Sequence, residues 1–306
     1  FIEVDVDEED NKYLVIHTGS RNLGKQVADY YQNLAIELCS GKEEMFKKKE
    51  EIITTYKEQG KKSEIQKALK ELEAEYKQNK PELPNELCYL EGKYREMYLH
   101  DMEICQRYAS QNRINIAKTI LGKYLNANCV PETFPKNIEE LIEHTAKTIG
   151  LFILKDKDGL KADNDGGYFE HSGHVSLFET IHNYISFDDN IVRKGAIRAN
   201  KGERVIIPIN MRDGSIIAVG KGNEDWNNSA PHGAGRLMSR RKAKETFNLD
   251  EFKKSMADIY STSVLEETID EAPFAYKPMQ EIIDNIQDTV EVEKIIKPIY
   301  NFKAKN

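Results

Sequence analysis

Cysteine is scarce in this sequence, and its spacing excludes two classes of protein. Four cysteines occur among 306 residues, and no two of them form a Cys-x-x-Cys pair. The sequence therefore carries neither a disulfide framework nor a zinc knuckle, and we expect a cytoplasmic protein. No apolar run approaches the roughly 20 residues that a membrane-spanning helix needs, so we also expect no membrane partner.

Basic residues are fewer than acidic residues in this sequence. Lys and Arg number 44 against 52 Asp and Glu, which gives a formal net charge of −8. This balance argues against a protein that coats nucleic acid through its overall field. Two local clusters nevertheless predict a basic channel. The first cluster consists of Arg193, Lys194, Arg198, Lys201 and Arg204, and the second of Arg236, Arg240, Arg241, Lys242 and Lys244.

Hydrophobic periodicity predicts an α+β fold with mixed sheets and surrounding helices, in one domain over residues 1–306. The predicted strands lie at 1–6 and 12–17, between 175 and 221, and at 295–303. The predicted helices follow the glycine-bearing loop at 18–24 and lie at 86–125, 240–269 and 279–288. Residues 131–154 are predicted to hold a further helix, starting near Pro135, and an apolar segment at 149–154, with a loop at 155–167.

Residues 42–80 differ from the rest of the chain in composition. Lys and Glu account for 20 of these 39 residues, and apolar side chains form only a narrow seam at helical spacing. One interpretation is a helical hairpin that contacts RNA or a partner. The other, which we favour, is a solvated helical insertion.

His232 is the strongest candidate for a reactive residue. It lies in the sequence SAPHGAGR at 229–236, where Gly233 and Gly235 allow the backbone to approach a ligand closely. Amides of such a loop can bind a phosphate, and Arg236 and Arg240, four apart on a predicted helix, would share a face. This setting suits nucleophilic attack on phosphorus through a phosphoramidate. A glycine turn with a hydrogen-bonded histidine explains the local pattern equally well.

Two other histidines lie next to polar or glycine-rich segments. His17 comes at a predicted strand end, before a glycine turn, which suits a metal ligand or a buried turn histidine. Arg21, in the same loop, could bind a phosphate through two N–H groups. His182 and Asn183 form a helix-like pair whose spacing indicates no particular chemistry.

The loop at 208–215, with the sequence PINMRDGS, separates two predicted strands. Its Asn210, Arg212 and Ser215 could surround a nucleotide, although a β-turn at Asp213 and Gly214 explains the same residues. No P-loop or dinucleotide fingerprint occurs in the sequence. If the chain binds a nucleotide, it does so without those motifs.

Taken together, these motifs resemble the RtcB family of RNA ligases. The motifs that carry the resemblance occur in one order: HTGSRNLG at 17–24, His182 with Asn183, RKGA at 193–196, PINMRDGS at 208–215, SAPHGAGR at 229–236 with Met238 to Arg240, EAPFAY at 271–276, and YNFK at 300–303. The resemblance covers nearly the whole chain except the charged insertion.

The resemblance implies a fold of the RtcB kind and an enzyme that joins RNA ends with GTP and Mn²⁺. It implies RNA ending in a 3′-phosphate or 2′,3′-cyclic phosphate, RNA with a 5′-hydroxyl, and an archaease-like activator as partners. His232 matches the guanylylated histidine, whose imidazole must be unprotonated, so we expect activity to fall at acid pH. His17 and His182 match Mn²⁺ ligands, and Arg21, Arg236 and Arg240 match phosphate-binding arginines. The residues that match GTP contacts are Phe1, Ile2, Glu3, His182, Asn183, Pro208, Ile209, Asn210, Met211, Ser215, His232, Gly233, Ala234, Gly235 and Lys303.

One departure from the family's pattern concerns the metal site. The family also uses an Asp, a Cys and a His that precede the position of Phe1, and this chain begins at Phe1. We therefore expect an N-terminal truncation that removes these ligands. Two other functions stay open: a metal-dependent phosphoesterase acting on RNA ends without GTP, and a non-catalytic RNA-binding protein.

Overall fold

A computed structural model of the chain describes residues 1–76, 81, 83–128 and 177–304. These residues form helices and mainly antiparallel sheets, which confirms the predicted α+β class. They divide into two compact units, one comprising Gly19–Ser110 and the other Phe1–Thr18 and Gln111–Asn306. The predictions for 131–154 and 155–167 lie outside the described residues. The single domain and the insertion at 42–80 stay predictions.

The elements of the described residues have the following bounds. The α-helices are α1 (Arg21–Cys39), α2 (Lys42–Glu58), α3 (Ile65–Tyr76), α4 (Gly92–Asn128), α5 (Arg240–Thr246), α6 (Leu249–Ser255) and α7 (Met279–Ile286). The strands are β1 (Ile2–Val6), β2 (Lys12–Ile16), β3 (His182–Ser186), β4 (Ile191–Arg198), β5 (Arg204–Asn210), β6 (Gly214–Gly220), β7 (Ser229–Pro231), β8 (Tyr260–Ser261) and β9 (Val290–Phe302).

The larger sheet has the order β2-β1-β9-β6-β5, with β8 parallel to the end of β9. The long strand β9 pairs with β1 on one side and β6 on the other, both antiparallel. The β1–β2 hairpin is predicted correctly, and Asp7 explains its turn because its carboxylate accepts hydrogen bonds from the backbone N–H groups of Glu9 and Asn11. The start of β1, the end of β2 and the end of β9 therefore meet at one edge.

The smaller sheet has the order β3-β4-β7. His182 is in β3, and His232 directly follows β7. His182 pairs with Ile197 of β4, and Pro231 pairs with the neighbouring Ala196. His182 is thus the first residue of a strand, and the helix-like interpretation of the His182–Asn183 pair is wrong. The sheet places His182 and His232 on either side of the same part of β4.

An apolar core joins the sheets to α7 in the unit that carries the histidines. Ile207 and Ile216 are fully buried, and Ile282 and Ile286 of α7 pack in the same cluster. A second cluster surrounds Phe252, which is fully buried among the residues of and around α6. These cores support the loops that follow β5 and β7.

The predicted helix over 240–269 is wrong in its extent. Two short helices, α5 and α6, replace its first half, because Asn248 has extended backbone and its side chain caps a new helix at the Glu251 N–H. Ser239 caps α5 in the same way, so Arg236 lies before the helix rather than on it. The last strand also begins earlier than predicted, at Val290 rather than 295.

The helical unit contains α1, α2, α3 and the first part of α4. The Tyr31 hydroxyl donates to Asp101 of α4 over 2.7 Å, and Lys49 pairs with Glu73 between α2 and α3 over 2.6 Å. No residue of α2 is buried, and Leu72 is the buried residue of α3. In the described part of the chain, no helix is both long enough and apolar enough to cross a bilayer.

Candidate active site

Three histidines that are far apart in the sequence lie side by side in the structure. The Nε2 atoms of His17 and His182 are 3.2 Å apart. The rings of His182 and His232 stack, with centroids 4.7 Å apart and an interplanar angle of 29°. The structure thus brings together the three histidines that the sequence singled out.

The strand ends explain this arrangement. His17 follows β2, and its backbone exchanges two hydrogen bonds with Phe1, which fixes it at the sheet edge. Asn183 interrupts the β3–β4 register with a φ of 54°, a conformation that asparagine tolerates better than most residues. The Asn183 side chain accepts a hydrogen bond from the Gly195 N–H at 2.7 Å, which ties this bulge to β4. Gly195 lies beside the His232 ring, since a Cβ on this glycine would stand 3.9 Å from the Nδ1 and Cε1 atoms of His232.

The two convergent imidazoles fit a shared metal ion. Two nitrogens that bind one ion at about 2.1 Å each lie roughly 3.0 to 3.4 Å apart, which matches the His17–His182 separation. Burial, with positive charge nearby, lowers the pKa of His17 to about 4, and burial also lowers the pKa of His182. Both rings are therefore neutral at pH 7, as metal ligands must be. Within the described ranges, no group of three or more His, Cys, Asp or Glu side chains forms a metal site.

The loop after β7 is held against the last residues of β5. The Ala234 N–H donates to the Pro208 carbonyl over 3.1 Å. A Cβ on Gly233 would stand 3.0 Å from the same oxygen, so only glycine fits this approach without a shift. Gly235 has a φ of 72°, which favours glycine again. The predicted helix directly after this loop is absent, so any phosphate contact would rest on the loop itself.

Glu271 gathers the cationic side chains near the histidines. Its carboxylate accepts hydrogen bonds from Lys303 over 2.7 Å, from Arg240 and from the Tyr276 hydroxyl. Arg236 lies 3.7 Å from the same carboxylate and over the Tyr276 ring. Although burial opposes ionisation, these partners lower the pKa of Glu271 to about 2. The predicted helix face shared by Arg236 and Arg240 is wrong because α5 begins at Arg240, and the two side chains instead meet at the Glu271 carboxylate.

Buried acceptor groups lie on the inner side of the large sheet. Glu3 and Asp5 alternate inward on β1, and Asn301 of β9 is the register partner of Glu3. Burial, reinforced by Asp5, raises the pKa of Glu3 to about 8, and burial raises that of Asp5 to about 7. Among the described residues, neither the two Asp5 oxygens nor the Ser215 hydroxyl, all of them buried, has a hydrogen-bond partner.

The predicted loop at 208–215 is wrong in its extent, since β5 continues to Asn210 and β6 begins at Gly214. The end of β5 and the short turn after it offer their backbone more readily than their side chains. Ile209 and Met211 are buried in the two cores, so a nucleotide would meet their main-chain atoms. The Asn210 side chain is occupied by the turn, since its oxygen accepts from the Arg212 and Asp213 N–H groups. The predicted β-turn at 213–214 is therefore present, with Gly214 at a φ of 83°.

The first predicted basic cluster does not form an open channel. Arg193 is buried and pairs with Asp189, Arg198 pairs with Glu203, and Arg204 pairs with Glu293. Neighbouring carboxylates thus offset much of its charge, which composition alone does not show. In the other compact unit, Arg21 is the first residue of α1, with a φ of 54°. Its role as a phosphate ligand stays a prediction.

Sequence reasoning missed three residues around the histidines. Glu271 and Tyr276 belong to the EAPFAY motif at 271–276, which contributes to the family resemblance. That motif could have indicated that both residues lie at the site. Arg113 lies within α4, and its charge contributes to the lowered pKa of His182 after burial and His232. Nothing in the helical pattern around Arg113 indicates a contact with strand-end residues.

Comparison with known proteins gives a consistent result. The family model described as "tRNA-splicing ligase RtcB" matches residues 1–141 and 167–304. The chain is 27% identical to RNA-splicing ligase RtcB1 and 26% identical to RNA-splicing ligase RtcB, both of Escherichia coli, over 99% of its length. It is 26% identical to the tRNA-splicing ligase RtcB of Nanoarchaeum equitans over 94% of its length. The chain spans 59% of each Escherichia coli relative and 51% of the archaeal one.

Proposed function

The chain belongs to the RtcB family, and on that premise we propose that it is the catalytic part of a GTP- and Mn²⁺-dependent RNA ligase. The proposed substrates are RNA ending in a 3′-phosphate or 2′,3′-cyclic phosphate and RNA beginning with a 5′-hydroxyl. The observation that carries the proposal is the convergence of His17, His182 and His232, which lie on three separate strand ends.

In the proposed reaction, His232 is the nucleophile. An unprotonated ring nitrogen attacks the α-phosphorus of GTP, a P–N bond forms, and the bond to the β-phosphate oxygen breaks as pyrophosphate leaves. The GMP group then passes to the RNA 3′-phosphate, and the 5′-hydroxyl displaces GMP as the ends join.

His17 and His182 would hold Mn²⁺ through their Nε2 atoms, supported by their 3.2 Å separation and their lowered pKa values. When bound, the ion supplies positive charge to the phosphates. Further ligands are needed, since these two histidines cannot complete its coordination alone.

The nucleotide contacts follow from the same edge of the sheet. Glu3 and Ser215 offer buried oxygens to a guanine base, and Glu3, whose raised pKa favours the protonated form at pH 7, would accept from the N–H donors of the base in its ionised form. Lys303, next to the Phe1 ring at 5.7 Å and bonded to Glu271, would contact the nucleotide from the end of β9. The loops at 208–211 and 233–235 would contribute backbone groups, and Arg236 and Arg240 would offset phosphate charge.

A ligation assay with the full-length protein tests this function against its alternatives. RNA with a 3′-phosphate and RNA with a 5′-hydroxyl are mixed with Mn²⁺, with or without GTP. We expect joined RNA only with GTP, and none with His232→Ala, whereas the exposed His100→Ala serves as the matched control and stays active. Phosphate release or opening of a cyclic phosphate without GTP would support a phosphoesterase instead. Tight RNA binding with no chemistry would support a non-catalytic protein.

A further inference from the structure

Arg113 connects the segment that follows His17 to the segment that precedes His182. Its Nε donates to the Glu179 carboxylate over 2.8 Å, and its Nη1 donates to the Thr18 carbonyl over 2.8 Å. Thr18 directly follows His17, and Glu179 lies three residues before His182. All five residues belong to the same compact unit.

We propose that Arg113 is a positioning residue for the metal site, which holds His17 and His182 at the separation that one ion requires. The inference rests on the proposed function, because it assumes that these two histidines bind Mn²⁺ together. Neither the family match nor the similar proteins assign a role to Arg113. In the sequence it lies on helix α4, outside every motif that carries the family resemblance, although it contacts the first of them through Thr18.

The chemistry of the guanidinium suits this role. Its N–H groups point in fixed, divergent directions from one plane, so a single side chain can bond a carboxylate and a carbonyl on different segments. An ammonium group on a flexible stem would hold either partner but not fix the angle between them. The pair is only partly open to water, with 17% of the Arg113 side chain and 23% of the Glu179 side chain exposed. Solvent therefore screens this ion pair less than a surface pair.

The third nitrogen of Arg113 argues against a purely stabilising role. Its Nη2 is buried and has no hydrogen-bond partner in the described part of the chain. A buried donor left without a partner costs on the order of 1–3 kcal/mol. An apolar side chain would avoid that cost but would remove the bonds to the Glu179 carboxylate and the Thr18 carbonyl. What Nε and Nη1 hold in place therefore offsets the unpaired Nη2.

The direct test is Mn²⁺ affinity in full-length Arg113→Lys, measured from the electron paramagnetic resonance signal of free Mn²⁺. Loss of a partner that orients metal ligands typically weakens metal binding by 10- to 100-fold, and we expect about 10-fold here because lysine keeps the charge. At saturating Mn²⁺, GMP transfer to the protein should recover to near the wild-type rate. Arg204→Lys is the matched control, since Arg204 forms a similarly buried pair with Glu293, and its Mn²⁺ affinity should equal that of the wild type.

The outcomes separate this inference from the proposed function. If the wild-type protein binds no Mn²⁺, both are overturned. If the wild type binds Mn²⁺ and Arg113→Lys binds it equally well, the inference alone is wrong, even if the variant melts at a lower temperature. If Arg113→Lys does not fold, the Mn²⁺ affinity of Glu179→Ala is measured instead. This substitution removes one of the two anchors of the guanidinium, and unchanged Mn²⁺ affinity in that variant would refute the inference.

Discussion

Two buried carboxylates of this chain have opposite electrostatic surroundings. Asp5 is fully buried and has no hydrogen-bond partner in the part of the chain that the structure describes, and burial raises its pKa to about 7. Glu271 is also buried but is bonded to Lys303, Arg240 and Tyr276, and its pKa falls to about 2. The two carboxylates therefore change the free energy of unfolding with pH in opposite directions.

Asp5→Asn should stabilise the protein at pH 8. The folded protein keeps a proton on Asp5 that the unfolded chain releases above about pH 4, so this residue lowers stability as pH rises from 4 to 7. Removing the ionisable group should raise the free energy of unfolding by about 4 kcal/mol at pH 8, with the gain vanishing near pH 4. Urea denaturation at both pH values measures it. Glu8→Gln, at an exposed position of the same hairpin, should change little, and a pH-independent effect of Asp5→Asn would contradict the account.

Glu271→Gln should show the opposite pattern. A carboxylate whose folded pKa is depressed contributes stability that is present above the unfolded pKa and is lost as pH falls toward the folded value. The variant should lose about 3 kcal/mol of unfolding free energy at pH 7, and the loss should shrink as pH falls from 4.5 toward 2. Glu281→Gln, in the exposed pair with Lys277, is the control and should cost under about 1 kcal/mol. Equal losses in the two variants would show that Glu271 does not organise its cations.

At the scale of elements, the sequence predicted strands and loops better than it predicted helix ends. The alternating residues of β1 and β2, and the turns around them, follow from local periodicity and Asp7. The division of 240–269 depends on one cap at Asn248, which competes locally with a continuous helical pattern. The stacking of His182 on His232 depends on strand pairing through β4, which no local pattern encodes.

Replacing residues 42–80 with a short flexible linker should leave guanylylation of the protein intact. No residue of α2 is buried, and the described contacts of α3 include the Lys49–Glu73 pair with α2. The solvated-insertion hypothesis therefore predicts GMP transfer to His232 within about twofold of wild type. Radiolabelled GTP measures the transfer, and an RNA-binding assay on the same variant tests the alternative. If RNA affinity collapses while GMP transfer persists, the hairpin contacts RNA.

At the scale of the whole molecule, net charge and local charge lead to different expectations. The chain carries a formal net charge of −8, and the arginines of the first basic cluster pair with acidic neighbours. Any RNA recognition should therefore depend on a few local cations such as Arg236 and Arg240, which Glu271 already gathers. The sequence motifs identified the family and the three histidines. The fold was needed to show that Glu271 gathers Arg240 and Lys303 and that Arg113 is bonded to the segments next to His17 and His182.

Mapping the GMP adduct tests the central claim most directly. The full-length protein is incubated with Mn²⁺ and GTP labelled at the α-phosphate, then digested and analysed by mass spectrometry. The account predicts an acid-labile, base-stable GMP group on the peptide that contains His232, absent in His232→Ala and retained in His100→Ala. The absence of any adduct, an adduct on another residue, or equal labelling of His232→Ala would contradict it.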